Sequence, residues 1–318
     1  MDINRRTLLR AAAGAAATAT SRPSLAQSPA ATWPPGEHIR LWPKRPPNAP
    51  ARLPTPRLTL NGPADRRELW LTGVAEPSVS VFRPTRPDGR ALISIPGGGY
   101  QFLSIENEGL NVARTFTPLG FTVFVLSYRL PGEGWTEPQD VPLQDGQRAI
   151  RLIRANAASF GIDPAKIGVI GFSAGGLLAA SLAAAWDDPV YTKVDAIDEV
   201  DTRPDFAGLV YPVTSGDRMR VGTGPAGRFD PKRRLGAQTP PLFIVHALDD
   251  PIVPFSEPLD MLQAAREAHV PVEAHFLQQG GHGFGPSYLS TDLPGSRWPT
   301  LFDLWVQRAL ARPIAAPS

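Results

Sequence analysis

The residues of this chain best suited to chemistry are a serine, a histidine and two adjacent aspartates, and their types point to acyl transfer. Ser173 lies in the run Ile167-Gly168-Val169-Ile170-Gly171-Phe172-Ser173-Ala174-Gly175-Gly176, which contains Gly171-x-Ser173-x-Gly175. The run before it is apolar and β-branched, and the run after it is rich in alanine and leucine. A serine at such a strand-to-helix turn sits on a sharp, strained bend with its hydroxyl exposed. Glycines flank it because the bend leaves no room for Cβ atoms beside the close-packed strand and helix. The helix N-terminus behind the serine also favours negative charge developing there. The competing reading of this run is the glycine-rich phosphate turn of a dinucleotide site.

A serine hydroxyl is a poor nucleophile until a base takes its proton, so the chain must also supply a histidine and an acid that orients it. Downstream, Gly280-Gly281-His282-Gly283-Phe284-Gly285 reads as a flexible loop after an apolar run. His282 is the expected base. His246 and His275 fall within or at the end of expected strands, where a structural role is the ordinary one. Between Ser173 and His282, Val245-His246-Ala247-Leu248-Asp249-Asp250-Pro251 leaves a strand and enters a turn. Asp250 is the expected acid, since Pro251 biases it towards an extended backbone. Asp249 is expected to cap the turn or face solvent. The fourth element is Pro96-Gly97-Gly98-Gly99-Tyr100, directly after another apolar run. Consecutive glycines let backbone amides approach a developing oxyanion. The expected donors are Gly98 and Gly99, with Ala174 just after the serine.

These residues need a frame, and the chain reads as alternating strand and helix. Apolar, β-branched runs fall at 79–82, 91–95, 122–127, 167–171, 206–210, 242–246 and 272–276. Helical periods fall at 110–116, 143–158, 174–185, 258–268 and 300–311. Val123-Phe124-Val125-Leu126 is apolar on both faces, as a strand covered on both sides must be. The expected class is α/β, with a mostly parallel central sheet and helices on both faces. In such a sheet the chemistry gathers at the carboxyl ends of the strands. The literal G-x-G-x-x-G at Gly222–Gly227 has no strand before it and carries Pro225 in its turn, so it reads as a loop.

Composition narrows the chemistry further. The 318 residues are 42% hydrophobic and 19% charged, which is ordinary for a folded domain. Cysteine is absent, which excludes disulfides, thiolate nucleophiles and cysteine-held metals. The five histidines show no compact ligand spacing, so neither a metal nor a cofactor is expected. At the N-terminus, Asn4-Arg5-Arg6-Thr7-Leu8-Leu9-Arg10 precedes a mild alanine-rich stretch and Ser24-Leu25-Ala26. That order is expected of a twin-arginine export signal over residues 1–26, cleaved near Ala26, with the mature protein periplasmic or secreted. Four arginines against Asp2 give this segment +3 of a whole-chain charge of +2, so the remainder carries −1. No nucleic-acid or anionic-membrane partner follows from the basic balance. Beyond residue 26 no apolar run reaches about 18 residues, so no membrane span is expected. Residues 27–65 form a proline-rich segment, expected to lie extended along the surface with Trp33 or Trp42 as anchors. The catalytic domain is expected to run over 66–318.

Taken together, these motifs resemble the α/β-hydrolase branch that includes acetylxylan esterase-like and hormone-sensitive-lipase-like carboxylesterases. The chain order Ser, Asp, His is the order of that fold. The resemblance is carried by Leu41-Trp42-Pro43, Pro96-Gly97-Gly98-Gly99-Tyr100, Ser127-Tyr128-Arg129-Leu130, Pro142-Leu143-Gln144-Asp145, Gly171–Gly176, Asp250-x-x-Val253-Pro254 and Gly281-His282-Gly283. Proline followed by Gly-Gly-Gly-Tyr, in place of the lipases' histidine, is typical of the acetylxylan esterase-like members. The resemblance implies a short acyl ester as substrate, with acetyl groups on a plant polysaccharide foremost, and it places the acid three residues before Val253-Pro254. Asp145 is then expected to hold its helix near the serine turn, and Glu106 and Glu108 to sit at a helix N-terminus outside the chemistry. The stretch 211–240 is short and polar, so a substrate-selecting insert there would differ from the family's. Three rival readings remain at this point: an exported peptidase on the same fold, a nicotinamide-dependent oxidoreductase, and a carbohydrate-binding module using Trp33 and Trp42.

Overall fold

Strands that are apolar on both faces have to be covered on both faces, and the runs singled out above meet that requirement in one sheet. The computed structural model describes residues 33–64, 66–216, 220–221, 224–225 and 230–311. Its strands in chain order are β1 (His38–Arg40), β2 (Arg57–Asn61), β3 (Glu68–Thr72), β4 (Ser78–Phe82), β5 (Ala91–Ile95), β6 (Leu103–Ser104), β7 (Thr122–Ser127), β8 (Ile167–Phe172) and β9 (Ala207–Val210). There follow β10 (Arg220–Val221), β11 (Gly224–Pro225), β12 (Leu242–Ala247) and β13 (Val272–Leu277). The helices are α1 (Asn111–Phe116), α2 (Val141–Ala155), α3 (Ala157–Phe160), α4 (Ala174–Ala184), α5 (Ser256–Glu267) and α6 (Trp298–Ala311).

Eight strands form the main sheet in the order β1-β4-β7-β5-β8-β9-β12-β13. From β7 to β13 neighbouring strands are parallel, and β4 and β1 run antiparallel at one edge. Helices cover both sides, which is the α/β-hydrolase architecture expected from the sequence. One helical layer is locked by aromatic contacts from Phe116 of α1 to Trp298 and Phe302 of α6. In the other layer α2 packs against α4. Helix α4 is buried along its whole length, which explains why its sequence has no polar face. Among the described residues no helix is long and apolar enough to cross a membrane.

The register decides where the chemistry can be. Ile95 of β5 pairs with Gly171 of β8, Phe172 with Val210 of β9, and Val210 with Val245 of β12. Ala247, the last residue of β12, pairs with Leu277 at the end of β13. The strands therefore stop level with one another. The segments that follow them, which carry Gly97, Ser173, Tyr211, Asp250 and His282, emerge along one edge of the sheet.

The proline-rich segment is more integral than a surface strap. Its residues His38–Arg40 pair with β4 at the sheet edge, where the missing donors of proline-rich sequence are tolerated. Strand β2 pairs with β3 across the boundary expected at 65/66, and β3 pairs in turn with β6. The described part of this segment is thus paired into the sheets on both sides of that boundary. Composition does not reveal such pairing. Trp42 is buried, and its indole N–H donates to Asp145 Oδ1 at 2.8 Å. Asp145 also accepts from the Arg129 backbone at 2.9 Å and from its guanidinium at 2.8 Å, with both side chains wholly out of solvent. Three of the segments that carried the family resemblance thus meet in one buried ion pair. The signal expected over residues 1–26 lies outside the described residues, as does most of Gly222–Gly227.

Candidate active site

Ser173 is presented by the turn between β8 and α4. Its backbone stands at φ 51° and ψ −116°, a region that only glycine enters without strain. The flanking glycines are required by contact. A Cβ on Gly171 would run into the Gly175 carbonyl, and one on Gly175 into the Ile95 carbonyl of β5. The turn is pinned by the Ser173 amide, which donates to the Val210 carbonyl at 3.0 Å.

His282 reaches this serine from the loop after β13. Its Nε2 lies 3.0 Å from Ser173 Oγ, and its Nδ1 lies 2.7 Å from Asp250 Oδ2. The structure thus brings together the three residues expected from the sequence to form the nucleophile, base and acid. The Asp250 side chain is 1% exposed and His282 13%, so the relay is shielded apart from the edge that a substrate must reach. The second oxygen of Asp250 accepts from the Ile252 and Val253 amides at 2.8 and 2.9 Å. Burial pushes the Asp250 carboxyl up, but the hydrogen bond and charge of His282 and these two amides outweigh it, and its pKa lies below the ordinary value. The acid therefore stays ionised and can hold the imidazole in one tautomer.

The neighbouring candidates have other work. Asp249 is exposed, but it does not merely face solvent: its Oδ1 accepts from the Gly281 amide at 2.8 Å and ties down the loop that carries His282. His275 is bonded to Glu273 at 2.8 Å. His246 is fully buried, with Nε2 3.9 Å from Asp250 Oδ2, beyond hydrogen-bond reach. Burial lowers its pKa against the pull of Asp250, so it stands beside the acid as a neutral ring.

The glycine loop after β5 lies against the nucleophile. The position that a Gly97 Cβ would take is 2.9 Å from Ser173 Cβ. Gly98 and Gly99 continue the loop at φ 123° and 61°. Among the described residues the amides of Gly98, Gly99 and Ala174 donate to no protein acceptor, which leaves all three for an oxyanion. The Gly97 amide is already used. It donates to Glu108 Oε2 at 2.6 Å.

Glu106 and Glu108 do lie in the first turn of a helix, a π-helical turn at Glu106–Leu110 that leads into α1. Both hold the expected place at a helix start, but Glu108 also turns inward to the glycine loop, a contact that its position in the sequence does not announce. Glu106 accepts instead from the Leu69 amide at 2.9 Å. A second residue escaped sequence reasoning. Tyr211, which follows β9 at φ 35°, packs its ring 4.9 Å from that of His282.

Comparison with known proteins agrees with this geometry. The family model described as BD-FAE matches residues 81–205, the span from β4 through the serine turn. The chain is 32% identical over 240 residues to an acetylxylan esterase of Xylanibacter ruminicola, covering 70% of this chain and 46% of that protein. It is also similar to a solved acetyl ester-xyloside bifunctional hydrolase of Caldicellulosiruptor lactoaceticus, with 29% identity and a TM-score of 0.69, covering 86% of this chain and 96% of that one. The chain has the α/β-hydrolase fold and is similar to the serine esterases of the BD-FAE and acetylxylan-esterase-like branch. Endo-1,4-beta-xylanase B of Butyrivibrio fibrisolvens is 33% identical over 204 residues, 60% of this chain and 32% of that protein. The chain thus spans less than half the length of these two curated relatives. The matched span contains the Pro-Gly-Gly-Gly-Tyr loop as well as the serine turn. The site geometry displaces the nicotinamide and carbohydrate-module readings, since neither would require a serine–histidine–aspartate relay.

Proposed function

We propose that this chain hydrolyses short-chain acyl esters, acetyl esters foremost, and that its natural substrates are acetyl groups on a plant polysaccharide. The observation that carries the reading is the continuous relay from Ser173 Oγ through His282 to Asp250, beside a glycine loop that touches the serine and whose Gly98 and Gly99 amides, like that of Ala174, donate to no protein acceptor among the described residues. In the first half-reaction His282 Nε2 takes the Ser173 proton as Oγ attacks the ester carbonyl. The amides of Gly98, Gly99 and Ala174 hold the tetrahedral oxyanion. The C–O bond then breaks, the alcohol leaves with the proton from His282, and an acyl-serine remains. Water, deprotonated by the same imidazole, repeats the sequence and releases the acid. Two named relatives, an acetylxylan esterase and an acetyl ester-xyloside hydrolase, support acetyl as the acyl group.

A panel of p-nitrophenyl acetate, butyrate and ferulate, beside acetylated xylan and peptide anilides, tests the reading. The acetyl ester and acetylated xylan should be turned over fastest, and the anilides should be left intact. Faster cleavage of the feruloyl ester would reassign the acyl group, and cleavage of anilides would make the enzyme a peptidase.

The place of action is proposed on the N-terminal sequence alone. With Arg5-Arg6 heading an apolar stretch and Ala26 ending it, the enzyme is exported by the twin-arginine route. Changing Arg5 and Arg6 to lysine should retain the enzyme in the cytoplasm, and undiminished export of that variant would refute the assignment.

A further inference from the structure

A carboxyl group is costly to bury unless its hydrogen bonds are satisfied, and Glu108 is 4% exposed within the hydrolase core. Burial pushes it up to about 8, although hydrogen bonds from the Gly97 amide and the Tyr211 hydroxyl pull the other way. Packing alone would be served as well by an apolar side chain of similar size. What the carboxyl gains in return is a connection between two loops.

On one side, Glu108 Oε2 accepts from the Gly97 amide at 2.6 Å. The site of a Gly97 Cβ would be 3.0 Å from that oxygen and 2.9 Å from Ser173 Cβ, so the bond fixes the glycine loop where it touches the nucleophile. On the other side, Glu108 Oε1 accepts from the Tyr211 hydroxyl at 2.8 Å, and that hydroxyl accepts from the Gly285 amide at 3.0 Å. Gly285 lies three residues beyond His282, against whose ring Tyr211 also packs. The preceding residue, Asn107, donates to the Gly283 carbonyl at 2.9 Å. Both side chains come from the π-helical turn at Glu106–Leu110, closed by the Leu110 amide donating to the Ile105 carbonyl. Single π-turns of this kind are frequent at functional sites.

We propose that Glu108 is a positioning residue which, through Tyr211, holds the oxyanion loop and the histidine loop in fixed register. The proposal rests on the reading of Ser173 as nucleophile. The two loops leave different strands, β5 and β13, separated in the sheet by β8, β9 and β12. No strand pairing joins β5 to β13 directly, so the register of their loop tips depends on contacts made beyond the sheet. Catalysis needs that register to be precise, because the oxyanion donors and the imidazole must address one tetrahedral carbon together, and misplacement by about 1 Å costs on the order of a hundredfold. A residue acting this way lowers kcat and leaves ground-state binding nearly untouched.

The test uses Glu108→Gln and Tyr211→Phe, singly and combined, in the full-length enzyme. Active sites are counted by fluorophosphonate labelling of Ser173, so that misfolded protein does not contribute. Each single variant should lose ~10–100-fold in kcat on p-nitrophenyl acetate, with KM within about threefold. Since both belong to one connection, the double variant should be no worse than the poorer single. Tyr211→Phe keeps the ring against His282 and removes only the hydroxyl, so it remains informative should Glu108→Gln fail to fold. Unchanged kcat in either folded variant, or losses that multiply in the double, would overturn the proposal. A wild type that hydrolyses the ester without labelling at Ser173 would instead refute the reading beneath it.

Discussion

Ser173→Ala is expected to lower the turnover number by about a millionfold while the protein stays folded. The hydroxyl is the only atom lost. It sits 3.0 Å from His282 Nε2, and among the described residues no other hydroxyl or amine is bonded to that nitrogen. The glycine loop and Ala174 keep their amides, so catalysis of roughly 10³–10⁴ over water should persist. Burst kinetics with p-nitrophenyl acetate and covalent labelling should both vanish, with the melting temperature within a few degrees of wild type. Substantial activity in the folded variant would mean that the nucleophile lies elsewhere. A companion change reads the strain at this position. Alanine keeps a Cβ at φ 51°, where a non-glycine residue costs about 1–3 kcal/mol. Ser173→Gly relieves that cost and should melt above Ser173→Ala. A lower melting point would show that the turn carries no such strain.

The elements that frame this site were legible because their signals are local. Seven apolar runs between Val79 and Phe276 are strands of the main sheet, displaced by no more than a residue or two at their ends. Each is buried by neighbours on both faces or by one neighbouring layer, and the sequence has to record that as hydrophobicity. The serine turn was equally plain, since the glycines at 171 and 175 answer to contacts only a few residues away or directly across the sheet. The helical periods at 143–158 and 258–268 differ mainly at their ends, and the first is interrupted at Asn156 to give α2 and α3.

What escaped the sequence depends on partners far along the chain. Strands β1, β2 and β3 are short, proline-bordered or mixed in polarity, and they exist because β4 and β6 offer them edges. Trp42 was visible as an anchor, but its partner Asp145 is 103 residues away. Asp145 lies on α2, which packs against the helix after the serine turn, and the bonds that hold it there run to Arg129 and Trp42. The inward contacts of Glu108 are hidden from the sequence for a related reason. An acid at the start of a helical period is ordinarily a partner of the helix dipole, and its contacts with Gly97 and Tyr211 arise only once β5 and β9 are in place. Tyr211 carried no signal at all, being an aromatic residue at a strand end among many. Sequence thus showed the groups that react more clearly than the groups that aim them.

The sharpest test of that aiming is the adjacent pair of aspartates. Asp250→Asn is expected to cut kcat by about 10⁴-fold, the loss known for the same change in a trypsin-type triad. The local bonding says why. Asp250 Oδ1 accepts from two backbone amides, at 2.8 and 2.9 Å, so an asparagine will keep its carbonyl oxygen there. Its NH2 must then face His282 Nδ1, where the carboxylate oxygen stood at 2.7 Å. Two donors cannot share that contact, so the imidazole must carry its proton on Nε2 instead. A protonated Nε2 cannot accept the proton of Ser173. His246 offers no substitute, being neutral, fully buried and 3.9 Å from the acid. Asp249→Asn provides the contrast. The Gly281 amide needs only one acceptor oxygen, now 2.8 Å away, and an asparagine still supplies it. That variant should lose less than about tenfold, because the Asp250–His282 bond is intact. Were Asp249→Asn the more damaging of the two, the oriented imidazole would have to be credited to the loop rather than to the buried carboxylate.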